Sequence, residues 1–155
     1  MLMVTTANSP EETQKIAADL AEKILSEKRV YPESSRGAKV IALEGELGAG
    51  KTTFVQGFAK ALGIKENLTS PTFVIIKVYS LQLSVYRNLI HIDAYRLKDY
   101  KELEALEVRE MIADPKNIIM IEWSDRVIQI LPEKYIKVHI DHISEKNRKI
   151  QVTDL

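Results

Sequence analysis

Apolar residues near the start of the chain recur at intervals of three and four, which predicts an amphipathic helix with one buried face. The helix is expected to begin after Ser9, because Ser9 can cap it, Pro10 suits the first turn and Glu12 completes a capping box. Its buried face is expected to comprise Ile16, Ala17, Leu20, Ala21, Ile24 and Leu25.

Farther along, two short continuous apolar runs, 40–43 and 118–121, are typical of strands buried on both faces. A glycine-rich turn and a helix over 52–62 follow the first run, and Gly63 stops that helix. The remaining pattern predicts a hairpin of 72–79 with 88–93, a helix over 102–113 and a closing strand pair, 136–143 with 149–152.

This order of elements predicts an α/β fold of one domain, 1–155, with a central sheet covered by helices. In such sheets ligands bind at the carboxyl ends of the strands. Gly45 and Glu122 both follow an apolar run at such an end, so we expect the functional site there.

Composition narrows the possible functions. Hydrophobic residues make up 45% of the chain, and 22 basic residues balance 22 acidic ones, so no global positive field attracts a nucleic acid. There is no cysteine, which excludes disulfides, thiolate catalysis and thiolate metal sites. No apolar run approaches the roughly 18–20 residues that span a bilayer, and we expect a soluble, cytoplasmic protein.

The turn after the first strand matches the phosphate-binding pattern G-x-x-x-x-G-K-[ST] in full. Its backbone amides and the start of the following helix are expected to hold the phosphates of ATP or ADP. Lys51 is expected to reach the β and γ phosphates, and the Thr52 hydroxyl to bind Mg²⁺. The predicted phosphate-binding residues are Gly45, Glu46, Leu47, Gly48, Ala49, Gly50, Lys51, Thr52 and Thr53. The fold class is therefore expected to be a P-loop NTPase-like three-layer sandwich, mostly parallel with antiparallel additions.

Glu122 is the expected second magnesium ligand, because many P-loop enzymes end a buried strand in a carboxylate that holds the metal. No N-K-x-D segment for guanine recognition is present. A small-molecule or nucleotide kinase is the alternative enzyme, although its phosphate-clamping arginines would be clustered. The downstream arginines are scattered, at Arg87, Arg96, Arg109, Arg126 and Arg148.

Four segments together resemble the bacterial TsaE family, also called YjeE, over nearly the whole chain. They are the phosphate-binding turn with Thr53 and Phe54, then 69–73 (TSPTF), 91–97 (HIDAYRL) and 122–126 (EWSDR). The family is the small ATPase of the machinery that makes N6-threonylcarbamoyladenosine (t6A) at position 37 of tRNAs reading ANN codons.

The resemblance implies roles for further residues. Asp93 would orient the attacking water or bind Mg²⁺ through water, and Trp123 would border the nucleotide. Ser70, Pro71 and Thr72 would act as a switch segment near the γ-phosphate. Ser124 stands where family members frequently have proline, so the loop after Trp123 is expected to be set differently.

Two weaker implications concern the ends of the chain, where Glu12 and Arg148 would approach the nucleotide. The phosphate-binding pattern, Glu122 and the resemblance together predict Mg²⁺-dependent ATP hydrolysis with Lys51, Asp93 and Glu122 as the catalytic residues. The resemblance implies that turnover by the isolated protein is slow. The resemblance also implies action with the proteins TsaD and TsaB, with tRNA met only through that complex. The alternatives are the kinase and a nucleotide-sensing module with negligible hydrolysis.

Overall fold

The computed structural model describes residues 2–27, 37–69 and 74–154. The strands in these residues form one seven-stranded sheet in the order β1-β7-β6-β2-β5-β4-β3. They are β1 (Leu2–Ala7), β2 (Lys39–Glu44), β3 (Ile76–Ser80), β4 (Asn88–Asp93), β5 (Asn117–Glu122), β6 (Ile136–His142) and β7 (Arg148–Asp154).

The four central strands β6, β2, β5 and β4 run parallel, whereas β3, β7 and β1 are added by antiparallel pairing. The expected P-loop NTPase-like α/β fold is therefore confirmed. So are the predicted hairpin, formed by β3 and β4, and the closing pair, formed by β6 and β7. The assignment of 1–155 to one domain stays a prediction.

Helices cover both faces of the sheet. They are α1 (Pro10–Ser26), α2 (Lys51–Ala61), α3 (Lys101–Glu104) and α4 (Val108–Ala113). Side chains of α1 and α2 share a core with one face, and side chains of α3, α4 and the 3₁₀ turns after β5 share a core with the other. The result is the expected three-layer arrangement.

The run of apolar residues in β5 serves both cores. Ile118 and Met120 face α1 and α2, whereas Ile119 and Ile121 face α3 and α4. Because both faces are covered, the strand alternates between two apolar environments and needs no polar side. This confirms the assignment of 118–121 as a buried strand.

The start of α1 follows the predicted capping chemistry. Ser9 Oγ accepts a hydrogen bond from the Glu12 amide at 3.1 Å, and Glu12 Oε2 accepts one from the Asn8 amide at 2.6 Å. Glu12 thus reaches the amide of Asn8, one residue before the cap. Deeper in the helix, α1 lies so close to α2 that a Cβ on Gly57 would sit 2.4 Å from Gln14 Cα.

Three elements differ from the sequence prediction. The predicted helix over 102–113 is broken into α3 and α4 by Glu107, whose backbone is left-handed at φ 62°. The edge strand β1 was not predicted. The first strand of the hairpin begins at Ile76, later than the predicted residue 72. Residues 70–73, which include the predicted switch segment, lie outside the described residues. No helix in the described part of the chain is long and apolar enough to cross a membrane.

Candidate nucleotide-binding site

The predicted phosphate-binding turn connects the end of β2 to the first turn of α2. Gly45 opens it at φ 148°, and a Cβ there would lie 2.5 Å from the carbonyl oxygen of Ile140 in β6. The turn can therefore follow this path only with glycine at position 45. At the other end, Gly50 precedes α2, whose first turn has no side-chain cap and no acidic residue, so its amides suit an anion.

Lys51 is almost fully buried, and its ammonium hydrogen-bonds within the turn itself. Nζ donates to the carbonyl oxygens of Gly45 at 2.6 Å and Glu46 at 2.9 Å. It also lies 3.9 Å from the centroid of the Trp123 ring, a cation–π contact.

Burial lowers the pKa of Lys51 below its ordinary value near 10.5. The carboxylates of Glu122, Asp93 and Asp125 oppose that effect on the pKa, in this order of size. The ammonium therefore sits in a partly desolvated position next to negative charge. In such a position its attraction to an anion is screened less than at the surface.

Glu122 ends β5 and is 2% exposed. Its Oε1 accepts a hydrogen bond from the Thr52 hydroxyl at 2.9 Å, although the two residues are 70 positions apart. The parallel register places Glu122 opposite Leu43, two residues before the turn begins. The two expected magnesium ligands therefore lie side by side at the carboxyl edge of the sheet.

His91 completes the surroundings of this carboxylate. Its Nε2 lies 2.6 Å from Glu122 Oε2, and both side chains are buried. Nδ1 of the same ring is buried without a hydrogen-bond partner among the described residues. His91 was not among the predicted site residues, and only its position two residues before Asp93 signals its closeness to the site.

Asp93 ends β4 directly opposite Glu122 in the parallel register. Its Oδ1 accepts a hydrogen bond from the Tyr95 amide at 3.0 Å, which orients the half-buried carboxylate. The structure thus brings Asp93, Glu122 and Thr52 to one edge, as predicted from the sequence. What Asp93 does there stays a prediction.

Trp123 adopts a left-handed backbone at φ 58°, an unusual conformation for a bulky residue. The Tyr95 ring lies 4.9 Å from its ring, and the Arg126 guanidinium lies 5.3 Å from it. Behind it, the buried Ser124 hydroxyl donates to the Leu43 carbonyl oxygen at 3.1 Å and so joins the ends of β5 and β2. A proline at position 124 would lack this hydroxyl.

Arg148 lies against the phosphate-binding turn. Its Nε donates to the Ala49 carbonyl oxygen at 3.0 Å and its Nη2 to that of Gly48 at 3.3 Å. Glu12, in contrast, hydrogen-bonds at the start of α1, as described above, and none of these bonds reaches the turn. Nucleotide contacts of Arg148 and Glu12 stay predictions.

The side chains at the edge suit a magnesium ion bound together with phosphate. Thr52 and Glu122 offer hard oxygen donors, and Mg²⁺ commonly takes one or two protein ligands beside phosphate oxygens and water. Within residues 2–27, 37–69 and 74–154 no group of three or more His, Asp or Glu side chains could hold a metal by itself. The site therefore fits a metal that arrives with a polyphosphate.

Comparison with known proteins matches this chain to one family. The family model described as threonylcarbamoyl adenosine biosynthesis protein TsaE matches residues 7–150. The Bacillus subtilis protein named tRNA threonylcarbamoyladenosine biosynthesis protein TsaE is 34% identical over 94% of this chain and 81% of its own. The Nostoc protein of the same name is 40% identical over 78% of this chain and 74% of its own. The crystal structure of Bacillus subtilis YdiB superposes with a TM-score of 0.72 at 30% identity, covering 99% of this chain and 86% of that one.

Proposed function

The chain belongs to the TsaE family of threonylcarbamoyl adenosine biosynthesis proteins, and from this premise we propose that it is a Mg²⁺-dependent ATPase acting in t6A formation in the cytoplasm. One observation carries the proposal. The Thr52 hydroxyl and the Glu122 carboxylate meet at 2.9 Å beside the phosphate-binding turn and the buried Lys51. An anion site, a metal-binding pair and a cation at one edge of the sheet suit a metal–triphosphate complex.

Lys51 binds phosphate in this proposal by exchanging hydrogen-bond partners. In the structure its ammonium donates to the carbonyl oxygens of Gly45 and Glu46. A triphosphate in the turn offers charged oxygens instead, and hydrogen bonds between two charged groups are the stronger ones. The ammonium and the loop amides then stabilise the negative charge that develops on the phosphates.

Thr52 and Glu122 hold the metal. A bound Mg²⁺ supplies positive charge that stabilises the β and γ phosphates during hydrolysis. Glu122 reaches the metal position from β5 and Thr52 from α2, so the ligand pair forms only when the sheet and the helix are packed. Neither side chain has to gain or lose a proton to bind the metal, so both can serve to position it.

Asp93 positions or activates the attacking water. It stands opposite Glu122 at the end of β4, and its Oδ1 is held by the Tyr95 amide. A carboxylate fixed in this way can accept a hydrogen bond from water and direct its lone pair toward phosphorus. Trp123 borders the nucleotide, and it already contacts Lys51 through its ring.

The partners proposed for this chain are TsaD and TsaB, with tRNA reached indirectly through their complex. The chain's own charge supports this arrangement, because 22 basic and 22 acidic residues give no net field for polyanion binding. Threonylcarbamoyl transfer belongs to TsaD in this proposal. Hydrolysis of ATP by this chain resets the complex, so turnover by the isolated protein is slow.

The test is phosphate release from Mg²⁺-ATP by the purified protein, with and without the TsaB–TsaD pair. We expect inorganic phosphate without any added acceptor and faster release with the pair. Lys51→Ala should abolish hydrolysis, and Asp93→Ala should retain nucleotide binding but slow turnover at least about a hundredfold. Normal turnover by the Asp93 variant would remove that residue from the mechanism.

The same assay separates the two alternatives. A kinase would leave ATP intact until a hydroxyl or phosphate acceptor is added, and the phosphate would appear on the acceptor. A nucleotide-sensing module would bind ADP and ATP in calorimetry yet release no phosphate, even with TsaB and TsaD present. Failure to bind either nucleotide with Mg²⁺ would overturn all three functions.

A further inference from the structure

His91 forms a buried pair with Glu122, and the mechanism above gives His91 no part. The His91 side chain is 0% exposed and that of Glu122 is 3% exposed, with 2.6 Å between Nε2 and Oε2. Removing a carboxylate from water is costly unless hydrogen bonds replace its hydration. Glu122 receives one such bond from Thr52 at Oε1 and has His91 at Oε2.

The surroundings of the ring decide which nitrogen carries the proton. Nδ1 is buried with no partner among the described residues. If the neutral ring carried its proton on Nδ1, that donor would be buried and unpaired, and the Nε2 lone pair would face a carboxylate oxygen. With the proton on Nε2, the ring donates to Glu122, and only an acceptor lone pair stays without a partner. The Nε2–H form is therefore the favoured neutral tautomer.

We propose that His91 is a positioning residue, whose Nε2–H holds Oε2 of Glu122 so that Oε1 is aimed at Thr52 and the magnesium position. The inference rests on the proposed function, because the metal site is part of it. The strand register supports this role. His91 and Asp93 lie two residues apart in β4 and so point to the same face of the sheet. Their partners in β5, Met120 and Glu122, point to that face too. This is the face that α2 covers, and α2 contributes Thr52.

The consequence concerns metal affinity. A glutamate side chain without a second hydrogen bond has a freer terminal torsion, so its carboxylate plane turns away from the Thr52 hydroxyl more often. Groups that orient a metal ligand typically contribute about 10- to 100-fold to metal affinity. His91 should thus influence Mg²⁺ binding while leaving the phosphate contacts of the turn intact.

Two variants test this with matched chemistry. His91→Leu removes the donor, whereas His91→Gln keeps an N–H at about the distance of Nε2. ADP affinity is measured by calorimetry, first without Mg²⁺ and then over a Mg²⁺ titration. Thermal unfolding shows whether each variant is folded. We expect H91L to need about tenfold more Mg²⁺ for the same effect, H91Q to restore most of it, and both to bind ADP alone as wild type does. His142→Gln, an exposed histidine at the end of β6, is the control.

A second measurement needs no variant and no nucleotide. The ¹⁵N shifts of the His91 ring in the free protein distinguish the Nε2–H form from the Nδ1–H form. The Nε2–H form is expected, and a proton on Nδ1 alone would overturn the inference. So would an H91L protein that folds and keeps the wild-type Mg²⁺ dependence. If instead wild-type ADP binding does not respond to Mg²⁺ at all, the proposed metal site fails, whichever tautomer is seen.

Discussion

Glu122→Gln should separate the function of this carboxylate from its contribution to stability. The variant is expected to lose at least about a hundredfold in ATP hydrolysis, because the side chain that would hold the metal in the proposed site loses its negative charge. Its free energy of unfolding is expected to stay within about 2 kcal/mol of the wild-type value. We expect the two effects to diverge because, in the proposed function, the buried charge holds the metal and contributes little to folding.

The small stability change follows from opposing contributions. Burying an ionised carboxylate costs several kcal/mol, and hydrogen bonds to a charged group offset about 1.5–3 kcal/mol each. Glu122 has two such contacts, Thr52 at 2.9 Å and His91 at 2.6 Å, so the contributions nearly cancel. Glutamine keeps the Thr52 bond and removes the desolvation cost. Its amide group no longer accepts a hydrogen bond from His91, and leaving that donor unpaired costs about 1–3 kcal/mol of stability.

Lys51 does not become an isolated buried charge in this variant. Asp93 and Asp125 both remain close enough to oppose the lowered pKa of its ammonium. The loop carbonyls of Gly45 and Glu46 still accept its hydrogen bonds. The 3–5 kcal/mol loss that is typical of breaking a buried ion pair is therefore not expected.

The assay combines thermal unfolding with phosphate release from Mg²⁺-ATP in the presence of TsaB and TsaD. For a chain of this size a change of 1 kcal/mol shifts the unfolding midpoint by about 3 °C, so the expected shift is at most about 6 °C. Glu133→Gln, an exposed glutamate, serves as the control for the change of charge. An E122Q protein that unfolds far earlier yet hydrolyses ATP within about threefold of wild type would refute the reasoning and make Glu122 a structural residue.

Three further predictions concern Lys51, Arg148 and Gly57. Because burial lowers the pKa of Lys51, its ammonium loses the proton at a lower pH than an ordinary lysine does. ADP affinity in calorimetry should therefore start to fall at a pH below the ordinary lysine range, and a flat profile up to about pH 10 would contradict this. Arg148→Lys cannot span the carbonyl oxygens of both Gly48 and Ala49, so ADP should bind about three- to tenfold more weakly by calorimetry. Gly57→Ala would press a methyl group onto the α1 backbone and should destabilise the protein by about 1–3 kcal/mol in denaturant unfolding, despite the higher helix propensity of alanine.

The elements that sequence patterns predicted well are those with strong local signals. The start of α1 at Pro10 follows from a serine cap, a proline and a glutamate within four residues. The turn before α2 follows from its glycine spacing, and β5 from an apolar run that ends in Glu122. Each of these signals lies within one segment, so neighbouring residues suffice to show it.

The elements that were missed depend on contacts with distant residues. β1 is an edge strand whose pairing with β7 spans the length of the chain, and its own pattern gives no clean alternation. The helix prediction over 102–113 followed residue propensity, which tertiary context overrides at Glu107. The contact of His91 with Glu122 could not be predicted from neighbouring residues, because Glu122 lies 31 residues later.

Patterns along the chain were enough to predict the α/β class, the glycine-rich turn with Lys51 and Thr52, and the carboxylate at the end of β5. That Glu122 contacts both Thr52 and His91, and that Lys51 lies against the Trp123 ring, follows from how the chain packs. The reason is physical: short-range spacing selects turns, caps and strands, whereas strand order and register bring distant side chains together. In this protein the parallel register of β4, β5 and β2 places the carboxyl ends of the three strands side by side, next to the turn that follows β2.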